Sequence, residues 1–184
     1  MNTSTLKLIP LKFADSPALF QHAGNDSELW RWLPYKDPHQ PLEMENIVKK
    51  ILAEVDLGNR EAFAIVPNDL NQAIGVTCFL NAHPQNIEIE IGGTFIGRKF
   101  WRTRVNTEVK LLMLTEAFEV RKVERVTFKT DNMNTGSQEA IERLGAQKEG
   151  ILRHQVKRID GSWRDSVYYS ILSSEWPSVK ARLE

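Results

Sequence analysis

Arg98, Lys99, Arg102 and Arg104 put four cations within seven residues, directly ahead of an apolar stripe that opens at about Asn106. Val105, Val109, Leu112, Met113, Ala117 and Phe118 recur at helical spacing, which predicts a helix with one buried face and its N-terminus at the basic turn. Unpaired amides and a partial positive charge at that N-terminus, beside the four side chains, would suit an anion, phosphate above all. The plainer alternative is a solvated turn. Upstream, Ile87, Ile89 and Ile91 alternate with Glu88 and Glu90, so the carboxylates share one face of a strand. If that face borders a cleft, Glu90, nearer Gly92 and Gly93, is the better general base; otherwise both glutamates are cross-strand charge partners. Asn134 and Ser137, three residues apart, share a helix face. They are either the cap and third residue of that helix or two ligand-binding groups.

The elements that must position these groups follow from local pattern. Leu6, Leu8 and Leu11 read as a first strand, and Asp15-Ser16-Pro17 as a helix start. Ile47, Ile51, Leu52 and Val55 mark a second amphipathic helix over about 42–57. Ala62–Val66 and Ile74–Leu80 form an antiparallel hairpin, and a turn at His83-Pro84-Gln85-Asn86 leads to the strand at Ile87. Two glycines inside that strand permit a bulge where a ligand or another backbone comes close. Val123–Thr130 reads as a strand, and the helix after Asn134 ends at Gly145 in the C′ position. Ile151–Ile159 and Trp163–Leu172 flank Asp160-Gly161, a strong hairpin signal. The order of elements predicts one mixed, mostly antiparallel, twisted α/β sheet of about seven strands with helices on both faces, in a single domain spanning 1–184.

Phe100-Trp101-Arg102-Thr103-Arg104-Val105-Asn106-Thr107-Glu108-Val109, followed by Ala117-Phe118-Glu119, resembles the acyl-CoA motif of GNAT-superfamily N-acetyltransferases. The likeness is greatest to the branch containing the ribosomal-protein N-terminal acetyltransferases. It continues through Asn134-Thr135-Gly136-Ser137, Leu144-Gly145-Ala146, Glu149-Gly150, Asp165 and Glu175-Trp176. The resemblance implies acetyl-CoA as acyl donor, held by Phe95, Ile96, Arg98, Trp101, Arg102, Thr103, Arg104, Val105, Asn106, Thr107 and Asn134. It implies that Ser137 lies near the thioester sulfur, and that Trp30, Trp32 and Tyr35 line the acceptor site. That aromatic stretch, bounded by Pro34, Pro38 and Pro41, reads equally as a packed loop. The family's phosphate turn usually carries two glycines, here replaced by Arg102 and Arg104. Either the arginine side chains point outward or add phosphate contacts, or the turn is reshaped and CoA binding is weakened; Asn106, Thr107 and Glu108 favour the first.

Acyl transfer to an amine needs a neutral amine, a polarised carbonyl and a proton for the thiolate. Roughly a tenth of an α-amine but far less of a lysine is neutral at pH 7, so a base is useful. Glu90 is the first candidate and His154 a weaker one. Ser137 could protonate the thiolate, and the amides beside Gly92-Gly93-Thr94-Phe95 could polarise the carbonyl. Arg153, Asp165 and Tyr168 receive no catalytic role; Asp165 reads as steadying a hairpin. The expected activity is acetylation of a primary amine, a protein N-terminus or a small molecule. Another acyl donor such as succinyl-CoA, or a non-catalytic CoA-binding or interaction protein, is the alternative.

Composition bounds the rest. The 184 residues carry 24 basic and 24 acidic side chains, so no global field favours nucleic acid or an anionic membrane. The single cysteine, Cys78, allows no intrachain disulfide and suggests a reducing compartment, with the cytoplasm as the expected location. No run approaches the ~20 apolar residues of a membrane span, and there is no signal-peptide pattern. The four histidines are scattered without ligand spacing, so no metal site is expected. A monomer or a homodimer fits equally.

Overall fold

The computed structural model describes residues 1–81 and 88–184; the turn expected at 83–86 and the strand residue Ile87 lie outside the described residues. The chain runs β1 (Leu6–Pro10), α1 (Ser16–Ala23), α2 (Ser27–Trp30), α3 (Pro41–Asp56), β2 (Arg60–Pro67), β3 (Gly75–Leu80) and β4 (Glu88–Ile96). It continues through α4 (Val105–Thr115), β5 (Arg125–Asp131), α5 (Thr135–Arg143), β6 (Gln147–Lys157), β7 (Trp163–Leu172) and α6 (Trp176–Leu183). The seven strands form one sheet in the order β1-β2-β3-β4-β5-β7-β6, parallel only between β4 and β5. This is the mixed, mostly antiparallel architecture that the pattern predicts.

Period-2 alternation lets the central strands feed two cores. Ile89, Ile91, Val126, Phe128, Val167 and Ile171 point to the face covered by α4, α5 and α6. Ala62, Ala64, Val76, Cys78 and Phe95 point to the opposite face, covered by α1, α2 and α3. Helix starts are set locally. Pro41 opens α3, and Glu43 accepts hydrogen bonds from the amides of His39 (2.6 Å) and Gln40 (3.0 Å), occupying donors that the helix itself leaves unpaired. Asp26 does the same for α2 through the Leu29 amide at 3.1 Å.

Three features depart from the expectations. The stripe of the central helix continues through a π turn at Glu116–Val120, which keeps Ala117 and Phe118 buried. Phe118 there stacks on Trp176 at 5.5 Å. Trp176 belongs to α6, which pattern reading did not place, although Pro177 in its first turn and Trp176, Val179 and Leu183 at helical spacing were available signals. Strand β6 begins at Gln147 and is exposed along its whole length, so it lacks the alternation by which strands are found.

Candidate active site

Strands β4 and β5 pair only at Glu88–Arg125, Ile89–Val126 and Glu90–Thr127. Beyond Glu90 they separate: β4 follows β3 to Ile96, while β5 follows β7 to Asp131. A bulge sets this divergence, because Cys78 opposes Gly92 and Val76 opposes Phe95, leaving Gly93 and Thr94 against Thr77 alone. Gly93 sits at φ 58°, a conformation costly for other residues. The expected glycine bulge is therefore a hinge that opens a crevice between two parallel strands. Beyond Glu90 the β4 edge facing β5 has no strand partner among the described residues, so an extended ligand with amide groups can pair with it.

Both parallel strands lead to helices, α4 and α5, whose N-termini lie at the strands' C-terminal ends on the same sheet face, where α/β folds hold anionic ligands. The turn before α4 is braced from within. Trp101 Nε1 donates to the Ile96 carbonyl at 2.7 Å, and Thr103 Oγ1 donates to the Phe100 carbonyl at 2.7 Å. The Val105 amide donates to Thr103 Oγ1 at 3.3 Å. Arg102 takes φ 59°, so the turn keeps the backbone conformation a glycine would supply although the residue is an arginine. The amides of Arg102, Arg104, Asn106 and Thr107 have no acceptor among the described residues.

The four cations divide into two groups. Arg98 is tied to Asp26, with Nε–Oδ2 at 2.7 Å and a second, shorter contact, and to Glu28 at 3.3 Å. It also lies 5.2 Å over the Trp101 ring. Arg104 turns away from the crevice and donates from Nη2 to the carbonyls of Leu183 (3.2 Å) and Glu184 (3.3 Å). Lys99 and Arg102 are exposed and make no ion pair among the described residues. Of the three arginines expected at the anion, two are engaged within the protein, Arg98 by Asp26 and Glu28 at the start of α2 and Arg104 by carbonyls at the end of α6.

At α5, Asn134 Oδ1 accepts the Ser137 amide at 3.0 Å, so Asn134 is the helix cap and its side-chain NH2 remains available. Ser137 is half-buried, and its hydroxyl has no partner among the described residues. Phe95 and Ile96 are buried at the end of β4.

On the opposite face lies Glu90, with a side chain only 9% exposed. Lys129 Nζ donates to its Oε2 at 3.2 Å. A Cβ on Gly92 would meet Glu90 Oε1 at 3.0 Å, so the first glycine makes room for this carboxylate. Glu88 is the more solvated partner, bonded to Arg125 (3.1 Å) and Thr127 (3.2 Å). The aromatic segment divides likewise. Trp30 is 2% exposed, packs on Phe95 at 4.9 Å and donates to the Ala23 carbonyl at 2.7 Å; it is a core residue and no wall of an open site. Trp32 and Tyr35 are partly exposed. Burial raises the Tyr35 hydroxyl above its ordinary pKa, with Arg60 opposing the rise. His154 lies apart, stacked on Trp163 at 5.7 Å, and its amide donates to Asp165 Oδ1 at 2.8 Å, which ties the hairpin.

Pattern reading missed several charged groups. Lys110 on α4 is 7% exposed, and its Nζ donates to Thr94 Oγ1 (2.9 Å), which shares a hydrogen bond with Thr77 Oγ1 (2.8 Å). Burial pushes its ammonium down to about 8. Burial also pushes the Cys78 thiol up to about 11. Asp131, 2% exposed, is held by Arg158 at 2.7 and 3.0 Å. Among the described residues no group of His, Cys, Asp and Glu could hold a metal, and no helix is long and apolar enough to cross a membrane.

The result is an open α/β sheet whose two parallel strands part between two helix N-termini, with a buried carboxylate on the far face. Comparison makes the assignment specific. Residues 5–147 match the family described as Acetyltransferase (GNAT) domain. The uncharacterized N-acetyltransferase p20 of Bacillus licheniformis is 25% identical over 177 residues, covering 95% of this chain and 96% of p20. YdaF of Bacillus subtilis (strain 168), named as a candidate ribosomal N-acetyltransferase, is 27% identical over 161 residues, covering 85% and 84%. The crystal structure of a candidate acetyltransferase from T. thermophilus superposes with a TM-score of 0.88 at 36% identity, covering 100% of this chain and 94% of that one. The chain belongs to the GNAT acetyltransferase family. It is an acyltransferase that moves an acetyl group to an amine.

Proposed function

We propose that the acetyl donor is acetyl-CoA, lying in the crevice between β4 and β5, and that the acceptor is a primary amine reaching the carbonyl from the Glu90 face. A protein N-terminal α-amine is the first reading and a small amine the second. The observation that carries this is the parting of β4 and β5 beyond Glu90, beside the open amides at the start of α4. The pyrophosphate then rests on the amides of 102–107 with Arg102 and Lys99 alongside, and the pantetheine arm pairs with the β4 edge between Asn134 and Phe95. Amides at the bulge polarise the thioester carbonyl.

Glu90 takes the proton of the amine, directly or through a water, as nitrogen attacks the carbonyl carbon. The tetrahedral intermediate expels the thiolate as the C–S bond breaks, and Ser137 hydrogen-bonds the sulfur or protonates it. In this reading Glu90 is the base, Ser137 attends the sulfur, and the backbone of 102–107 holds the phosphates. The lone buried thiol of Cys78 supports a reducing, cytoplasmic setting. Calorimetric titration with acetyl-CoA, followed by thiol-release assays on amines and N-terminal peptides, tests the reading. Glu90→Gln should lower kcat by about 100-fold or more while acetyl-CoA affinity holds. An unchanged kcat would remove Glu90 from the chemistry.

A further inference from the structure

On the face that carries Glu90, two arginines, Arg60 and Arg164, make no ion pair among the described residues. Arg60, Leu80 and Glu90 stand in one cross-strand row, so their side chains share this face. Arg164 and Ser166 lie on the same face, since the alternate residues Val167, Tyr169 and Ile171 enter the opposite core. Among the described residues, Arg60 Nε, Arg164 Nε and Ser166 Oγ are buried polar atoms without a hydrogen-bond partner. The nearby carboxylates are engaged elsewhere, Glu90 with Lys129 and Asp131 with Arg158. Arg125, also on this face, closes on Glu88 and Glu149.

The two arginines flank the strand carrying Glu90, Arg60 from β2 and Arg164 from β7. A Cβ on Gly93 would lie 3.5 Å from Cys78 Sγ and 3.9 Å from Arg60 Nη1, so the Arg60 guanidinium crosses β3 to the bulge. Arg164 stands on β7 two residues before Ser166, the register partner of Asp131 at the end of β5. Both arginines are half-buried, and each keeps a buried Nε without a hydrogen-bond partner, a costly arrangement that a planar carboxylate matches in geometry. We propose that the acceptor amine carries a carboxylate a few bonds from its nitrogen, and that Arg60 and Arg164 bind it while the amine faces Glu90. A free amino acid supplies this group from its main chain, and a peptide supplies it from an acidic first residue. The inference rests on the acetyltransferase reading and narrows its acceptor.

The test compares matched acceptors at saturating acetyl-CoA. L-phenylalanine, L-methionine and L-leucine are set against their decarboxylated amines, and peptides beginning with Asp against the same peptides beginning with Asn. The carboxylate-bearing member of at least one set should show a kcat/KM at least tenfold higher, and the set that responds identifies the source. Arg60→Gln and Arg164→Gln should raise KM for that acceptor roughly ten- to a hundredfold. The KM of its neutral counterpart should change far less, so the ratio of kcat/KM between the two members collapses toward one. Neutral amines turned over equally well, or variants that slow both members alike, would overturn the inference. Thermal shifts with the N-acetylated products, with and without CoA, provide a readout that needs no turnover. A shift produced only by the anionic product and lost in Arg164→Gln supports the site, and its absence with every product refutes it. Failure to bind acetyl-CoA would instead strike the transferase reading.

Discussion

Replacing Lys110 with methionine removes an ammonium group enclosed between α4 and the sheet bulge. Burial lowers this lysine from 10.5 to about 8, between two and three pKa units. At about 1.4 kcal/mol per unit, folding with the charge enclosed costs about 3 kcal/mol. The sign follows from proton binding. Below pH 8 folded and unfolded chains both hold the proton, and the penalty is complete. Between pH 8 and 10.5 the folded chain has released it while the unfolded chain retains it, so stability rises with pH and the penalty fades. Methionine fills a similar volume without charge, but the hydrogen bond to Thr94 is lost at a cost of about 1 kcal/mol. Lys110→Met should therefore be more stable than the parent by about 2 kcal/mol at pH 7, and nearly equal to it at pH 10. Urea denaturation followed by tryptophan fluorescence at both pH values measures the gap. A gap that does not change with pH would refute the argument. Because Lys110 also steadies Thr94 in the bulge, the same variant should lose activity severalfold as it gains stability, a trade common at functional sites.

Arg102→Gly should relieve the left-handed backbone by up to about 1 kcal/mol yet weaken acetyl-CoA binding severalfold and flatten its salt dependence, both read by calorimetry; tighter binding would show that the side chain obstructs the site. Arg104→Gln should lower Tm by about 2–4 °C through loosening of α6, with acetyl-CoA affinity unchanged. A loss of affinity there would return Arg104 to the phosphate. Asn134→Ala should cost about 1 kcal/mol as the cap of α5 and also raise KM for acetyl-CoA. Asn134→Ser should restore stability without restoring KM, which separates capping from ligand contact in a paired denaturation and kinetic measurement.

Much of the site was legible from nearest neighbours. The Ile/Glu alternation identified β4 and its polar face, and Gly92-Gly93 the bulge. The apolar stripe located α4, and Asn134 the start of α5. Each of these is decided within a few residues, by the period of a strand or helix or by which backbone amides a nearby side chain can reach. Other features depend on residues far along the chain. Trp30 reads as a wall or a packed residue with equal ease, and only the fold, by setting Phe95 against it, makes it core. Arg98 and Arg104 look like phosphate ligands beside α4, yet Asp26 and the carbonyls of Leu183 and Glu184 claim them. Lys110 belongs to no local apolar pattern, and only the bulge brings Thr94 to it. The Arg60–Leu80–Glu90 row exists only once three strands take their register. Local sequence determines which elements form and which way their side chains alternate. Tertiary structure decides which charges find partners and which stay free for a ligand, because compensating a charge depends on distance in space and burial.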